Sequence, residues 1–214
     1  MKTYLELEDI DKLEAAAECL RDKLLVRLLG RLGCRISEAL GIGTKDIDFV
    51  RGTITIQHLK VRVKRNCSGC GSRLSRTAEF CPGCGNKAGH ALTEEKEHRR
   101  QRQLPVEEET LELLEEYIAR GGPVNRNGRQ LLFGLSRHRA WQIVRDCALK
   151  AGLRYLVNPE TGGMRGVSPH RLRDAFAVNA VKHDDSGDGL RLLQEMLGHQ
   201  SFDTTAKYRK VAGE

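Results

Sequence analysis

"SPHRLRDAFAVNAVKH", residues 168–183, holds a helix start signal and two functional side chains on one predicted face. Ser168 is a good N-cap. Pro169 suits the first helical position, where its missing N–H leaves nothing unpaired. On the helix that follows, His170 and Arg173 stand three residues apart and so point the same way. Working outward, "LRLLQEMLG" (190–198) and "SFDTTAKYRKV" (201–211) read as the last two helices. They place His199 just after Gly198, and Tyr208 one short helix later. In the other direction, Ser136 caps "RHRAWQIVRDCALKAG" (137–152), where Trp141, Val144 and Ala148 are expected on the buried face. "VEEETLELLEEYIARGG" (106–122) has Leu111, Leu114 and Ile118 on one stripe, acids in its first turn and Gly121 at its end. The segment between those two helices, rich in Gly, Asn and Pro, reads as a loop leading into "LLF".

Near the N-terminus, residues 7–33 have apolar side chains at helical spacing, as two helices or one bent helix stopped by Gly33, and "RISEALGI" (35–42) adds a short helix. The period then changes to two. "DIDFV" (46–50), a turn at Arg51-Gly52 and "TITIQHL" (53–59) read as a β-hairpin, and "HRRQRQLPV" (98–106) as a third strand closed by Pro105. The expected fold class is α+β, mainly helical, with a small antiparallel sheet.

That sheet is interrupted by "CSGCGSRLSRTAEFCPGCG" (67–85). The spacing Cys67-x2-Cys70-x10-Cys81-x2-Cys84, with glycine after each pair, sets four sulfurs for a tetrahedral metal, and the glycines let backbone N–H groups turn toward the thiolates. Four protein ligands leave no open position for a water, so a Zn²⁺ here is expected to be structural. It would hold together an insert of residues 67–92 too small to build its own core. The remaining residues, 1–66 and 93–214, would form one discontinuous domain. A ribbon of this kind suits a DNA grip, a protein contact or a clip that stiffens a hairpin, and the sequence does not choose among them.

Of the 214 residues, 36 are Lys or Arg and 29 Asp or Glu, a formal charge of +7 that falls to +5 if four thiolates hold one zinc ion. The basic clusters at 60–65 and 98–102 against the acidic run at 107–116 are compatible with a polyanion on one face. No apolar run approaches the roughly 18 residues of a membrane span, and the N-terminus lacks the basic-then-apolar order of a signal peptide. Cys19 and Cys147 lie in helical patterns and are expected to be buried thiols, in keeping with a reducing, cytoplasmic setting.

Outside the ribbon, two arginines, a lysine, two histidines and a tyrosine make up a set of parts for phosphodiester chemistry without a metal. Guanidinium forks clamp phosphate oxygens, tyrosine can serve as a covalent nucleophile, and lysine can protonate a leaving oxygen. The segments that carry them, "GCRISEALGI" (33–42), "SPHRLRDAFA" (168–177), "LGHQS" (197–201) and "TTAKY" (204–208), occur in this order and together resemble the tyrosine recombinase (phage integrase) family. The resemblance spans most of the chain outside the ribbon. It implies that Tyr208 attacks a DNA phosphate to leave a 3′-phosphotyrosyl link and a free 5′-hydroxyl. Arg35 and Arg173 would hold the non-bridging oxygens, His170 would assist proton transfer at the tyrosine, and His199 would add a hydrogen bond.

The family's lysine sits on a β-hairpin and protonates the leaving oxygen. Lys60, which closes "TITIQHLK", matches it, with Lys64 as the alternative if the insert shifts the register. The ribbon would then interrupt the hairpin of the second and third strands. The implied partners are double-stranded DNA at a specific site and further copies of the chain, in a tetrameric synapse. An accessory protein or an N-terminal DNA-clamping domain is implied too, and the implied location is the cytoplasm, on nucleoid DNA. Asp174 departs from the family, which usually has a second histidine there. A type IB topoisomerase shares the chemistry, although the LGH and TTxxY segments favour a recombinase. The alternative from another class is a zinc-ribbon DNA- or protein-binding module on an inactive core.

Overall fold

The computed structural model describes residues 2–75, 77–90, 92–158, 161–184, 188–198, 205 and 208, with backbone alone for 58–64, 90 and 92–100. The chain divides into two compact units, Met1–Ile56 with Arg102–Glu214, and Gln57–Gln101.

The first unit is built around one helix. The N-terminal apolar stretch resolves into two helices, α1 (Leu7–Ala15) and α2 (Leu20–Arg31). In α2, "LRDKLLVRLLGR" spreads leucines over more than one face, so it can be buried all round. Leu24, Leu25, Leu28 and Leu29 are fully enclosed. Around α2 pack α1, α3 (Ile36–Ala39), α4 (Glu108–Ala119), α5 (Arg137–Lys150) and α6 (Pro169–Lys182). The most deeply buried charge of α2, Arg27, is well partnered: its guanidinium donates to Thr110 Oγ1 at 2.7 Å, Glu14 Oε2 at 2.8 Å and Glu109 Oε2 at 2.6 Å. A buried guanidinium without those acceptors would be strongly destabilising. The last described helix is α7 (Gly189–Leu197), ended by Gly198 in the left-handed region at φ 63°. No described helix is long and apolar enough to cross a membrane.

The strands follow the two-residue period. β1 (Ile47–Asp48) pairs antiparallel with β2 (Thr53–Asn66), Ile47 opposite Ile54, which sends Ile54 and Ile56 into the core. β3 (Arg73–Leu74) continues the sheet from β2, and β4 (Leu92–Pro105) also pairs with β2. β4 begins six residues before the expected third strand, because a partner fourteen residues long offers it a ladder along its full length. Gln57–Gln101, the second unit, accordingly includes the outer parts of both long strands as well as residues 67–92.

Four expectations are corrected. Residues 124–131, read as loop and "LLF", form a hairpin of β5 (Val124–Arg126) and β6 (Arg129–Leu131). It turns on Asn127 and Gly128, both at positive φ as a two-residue hairpin turn requires. A second hairpin, β7 (Tyr155–Val157) with β8 (Met164–Gly166), lies where only a loop was expected. Trp141 is 38% exposed, because the buried stripe of α5 runs through Ala140, Ile143, Val144, Cys147 and Ala148 and leaves it at the stripe's edge, about 90° from its centre. Cys19 is exposed at the N-cap of α2, whereas Cys34 and Cys147 are buried.

Candidate active site

α3, α5, α6 and Tyr208 line one cleft of ≈ 1000 Å³ in the first unit. α3 contributes Arg35 to Ser37, α5 contributes Arg137, His138 and Trp141, and the start of α6 contributes Ser168 to His170 and Arg173. Four of the six expected catalytic residues therefore face a single space. His199 lies outside the described residues. Lys60 and its alternative Lys64 lie in β2, and only their backbone is described.

Arg173 is held rather than free to search. Its guanidinium is 3% exposed and donates to the carbonyls of Gly33 at 2.6 Å and Leu197 at 2.7 Å. Gly33 has φ 60°, and a Cβ there would meet the Phe176 ring at 2.4 Å. Glycine is therefore needed both for the turn into α3 and for the carbonyl that orients Arg173. Burial, and next the charge of Arg35, lower Arg173 to about 10, which leaves it cationic at neutral pH.

A residue not assigned a role from the sequence organises the arginines. Glu38 is buried, with one oxygen 2.8 Å from Arg35 Nη1 and the other 2.7 Å from Arg102 Nη2, and it lies 3.8 Å from Arg173. Its carboxylate also accepts the Arg35 backbone N–H at 2.9 Å, starting α3 as an N3 cap does. Burial opposes the charged form, but Arg102 foremost, then Arg35, bring the Glu38 carboxyl down to about 2. Arg102 in turn donates to the Met196 carbonyl at 2.7 Å, tying β4 to α7. The i, i+3 spacing of Arg35 and Glu38 at a helix start is a readable signal, but Arg102 has none, since it stands 64 positions from Glu38.

Tyr208 is 2% exposed, its ring packed with Ala177, Val178, Leu193 and Leu197. Its hydroxyl donates to Asp174 Oδ1 at 2.7 Å. Burial, then the negative charge of Asp174 and that hydrogen bond, push the phenol well above its ordinary value. Asp174 is itself steadied by Arg171 Nη1 at 2.9 Å and lies 3.9 Å from His170 Nε2. Trp141 completes the far wall, with His138 stacked on it at 6.4 Å and the Arg145 guanidinium 5.5 Å from its ring. Cationic and aromatic groups together on a concave wall suit a polyanionic ligand. Ser168, the expected cap of α6, makes no side-chain cap bond and instead lines the cleft.

In the second unit the sulfurs of Cys67, Cys70, Cys81 and Cys84 all lie within 4.8 Å of one another. Cys67 and Cys84 are 3.6 Å apart, and Cys70 and Cys81 3.5 Å. These are not disulfide distances. A zinc–sulfur bond of about 2.3 Å sets tetrahedral edges of about 3.8 Å, so the four cysteines fit one metal ion. The loops are closed for it: the amides of Gly71 and Gly85 bond the carbonyls of Cys67 and Cys81, and the Gly83 N–H points at Cys81 Sγ. Ser72 lowers Cys70 to about 6.

The phage integrase family matches residues 3–68 and 84–214, and the break in the match falls inside the cysteine module. Tyrosine recombinase XerD of Neisseria meningitidis serogroup B is 30% identical over 223 residues, 98% of this chain and 59% of that protein. Among solved structures, XerA recombinase superposes with a TM-score of 0.65 at 21% identity, covering 97% of this chain and 59% of that one. XerH recombinase bound to palindromic difH substrate gives 0.61 at 23%, covering 99% and 50%. The fold is therefore that of tyrosine recombinase catalytic cores, and the chain spans little more than half the length of these relatives.

Proposed function

The chain belongs to the phage integrase family, and on that premise we propose that it is the catalytic domain of a site-specific DNA recombinase working through a 3′-phosphotyrosyl intermediate. One observation carries this: Arg35, His170, Arg173 and Tyr208 face the same cleft, although up to 173 positions separate them in the chain. A phosphate seated there meets the anchored Arg173 and the more exposed Arg35, two guanidiniums that stabilise the charge of a pentacoordinate phosphorus. The phenol oxygen of Tyr208 attacks, with His170 assisting removal of its proton. Lys60 (or Lys64) delivers a proton to the leaving 5′ oxygen, and His199 adds a hydrogen bond to the phosphate. The new phosphodiester keeps the energy of the old one, so rejoining is the same step reversed and requires no ATP.

The partners that follow are double-stranded DNA at a specific site and other copies of the chain, assembled on that DNA as a tetramer. An accessory protein or an N-terminal DNA-clamping domain completes the grip, and the setting is the cytoplasm, on the nucleoid. Residues 1–66 and 93–214 form the catalytic domain, and 67–92 a ribbon stapled by one structural Zn²⁺ on Cys67, Cys70, Cys81 and Cys84. The ribbon extends the lysine hairpin onto DNA. Charge supports DNA contact along that hairpin: Gln57–Gln101 carries ten Lys and Arg against four acids, seven of those cations lie in β2 and β4, and with four thiolates on one zinc ion the unit still holds +4 of the chain's +5.

The test is a gel assay with nicked suicide duplexes tiled from the DNA flanking the coding region. A covalent adduct should form and should be absent from Tyr208→Phe. Tight, salt-sensitive binding with no adduct on any duplex would instead indicate a binding module on an inactive core.

A further inference from the structure

The family resemblance leaves Asp174 without a role, yet it accepts a hydrogen bond from the attacking atom. Its Oδ1 lies 2.7 Å from the Tyr208 hydroxyl, while Oδ2 accepts from Arg171 Nη1 at 2.9 Å. Both side chains of the Tyr208–Asp174 pair are buried, so bulk water is a poor competitor for the phenol proton. His170 Nε2 stands 3.9 Å from the same Oδ1, on the side that opens into the cleft.

Resting on the recombinase reading above, we propose that Asp174 is the general base of the cleavage step, the first acceptor of the Tyr208 proton, with His170 next in line. As the Tyr208 Oη–phosphorus bond forms, the O–H proton passes to Asp174 Oδ1. The phosphorus–O5′ bond breaks, and the leaving oxygen takes its proton from the lysine of the hairpin. Rejoining returns the proton from Asp174 to Oη. About six pKa units separate a phenol from a carboxylic acid, so at rest the proton stays on Tyr208. It can cross only when bonding to phosphorus has made the oxygen acidic, which is what general-base catalysis means. The direction of the Tyr208 shift agrees: the buried carboxylate holds the phenol protonated until substrate arrives. Among the described residues, the charged and titratable groups around the pair include Arg171, His170 and Arg173 from α6, Arg35 acting on Arg173, and Tyr4 from the N-terminal segment. Arg171 fixes the carboxylate so that Oδ1 faces Oη.

The experiment measures adduct formation on a cleavable suicide duplex against pH for the full chain, Asp174→Asn and Asp174→His. Asparagine keeps an oxygen to receive the hydrogen bond but cannot take up the proton. We expect adduct formation to slow about 10²-fold while DNA affinity stays within twofold. A substrate with a 5′-bridging sulfur, whose thiolate leaves without a proton, should not restore the rate, because removal of the phenol proton is what limits it. Histidine supplies a base again, so activity should return in part, with the acid limb of the pH profile moved toward pH 6–7. Asp174→Asn within threefold of wild type, or faster than wild type as a mere latch would make it, overturns the assignment. So does an Asp174→His protein that is folded and inactive at every pH. If Asp174→Asn does not fold, the histidine profile decides alone. If the unaltered chain forms no adduct on any duplex, the recombinase function itself fails and this base falls with it.

Discussion

Replacing Glu38 by glutamine removes one negative charge from between three guanidiniums, and the cost can be reached by two routes. The first uses protonation. Its carboxyl falls from 4.5 to about 2 in the folded protein, in spite of a burial that would raise it, through Arg102 and then Arg35. At 1.36 kcal/mol for each tenfold change, that is on the order of 3 kcal/mol of folding free energy at neutral pH. The second uses mutational precedent: breaking a buried ion pair from one side costs about 3–5 kcal/mol, because the abandoned charges stay buried. The two agree. Because the folded-state value is depressed, this stabilisation is complete above the unfolded value of 4.5 and is lost as the pH falls through about 2. Glu38→Gln should therefore be about 3 kcal/mol less stable than wild type in urea unfolding at pH 7, a loss of roughly 6–12 °C in Tm for a chain of this size. At pH 3 the gap should be less than half as large. A difference below 1 kcal/mol at pH 7, or one that does not change with pH, would refute the hub role of Glu38.

Zinc should be found at one ion per chain in protein purified without chelator. Its removal, or Cys81→Ser, should open Gln57–Gln101 to protease while the melting of the first unit stays unchanged, since the core of this module among the described residues is the small cluster around its cysteines. Co-melting of both units on chelation would contradict the division. Arg73→Glu combined with Lys87→Glu, two exposed cations of the second unit, should flatten the plot of log affinity against log salt by about 0.9 for each DNA phosphate that the variant no longer neutralises. An unchanged slope would mean the ribbon does not touch DNA.

Local chemistry was legible without coordinates wherever one segment carried its own pattern. The helical stripe of α4, the Ser168-Pro169 start of α6, the alternation of "TITIQHL" and the paired CxxC spacing each depend on neighbours a few residues away, and each is present in the structure. The Asn127-Gly128 turn is equally local, since positive φ at both positions is what that dipeptide supplies. The ordered motifs pointed to Arg35, His170, Arg173 and Tyr208, and the fold gathers those four in one cleft.

Other features had no local trace. The side on which Trp141 falls depends on a one-position rotation of the buried stripe of α5, which only the packing of its neighbours decides. That Arg102 joins Glu38 across 64 residues, or that Tyr208 meets Asp174 across 34, depends on how β4, α3, α6 and the segment bearing Tyr208 pack in space. Composition and period record which side chains each segment must bury or expose. Which charge faces which is settled only when burial strips away water, because desolvated groups are stable only beside the partners that the rest of the chain brings to them.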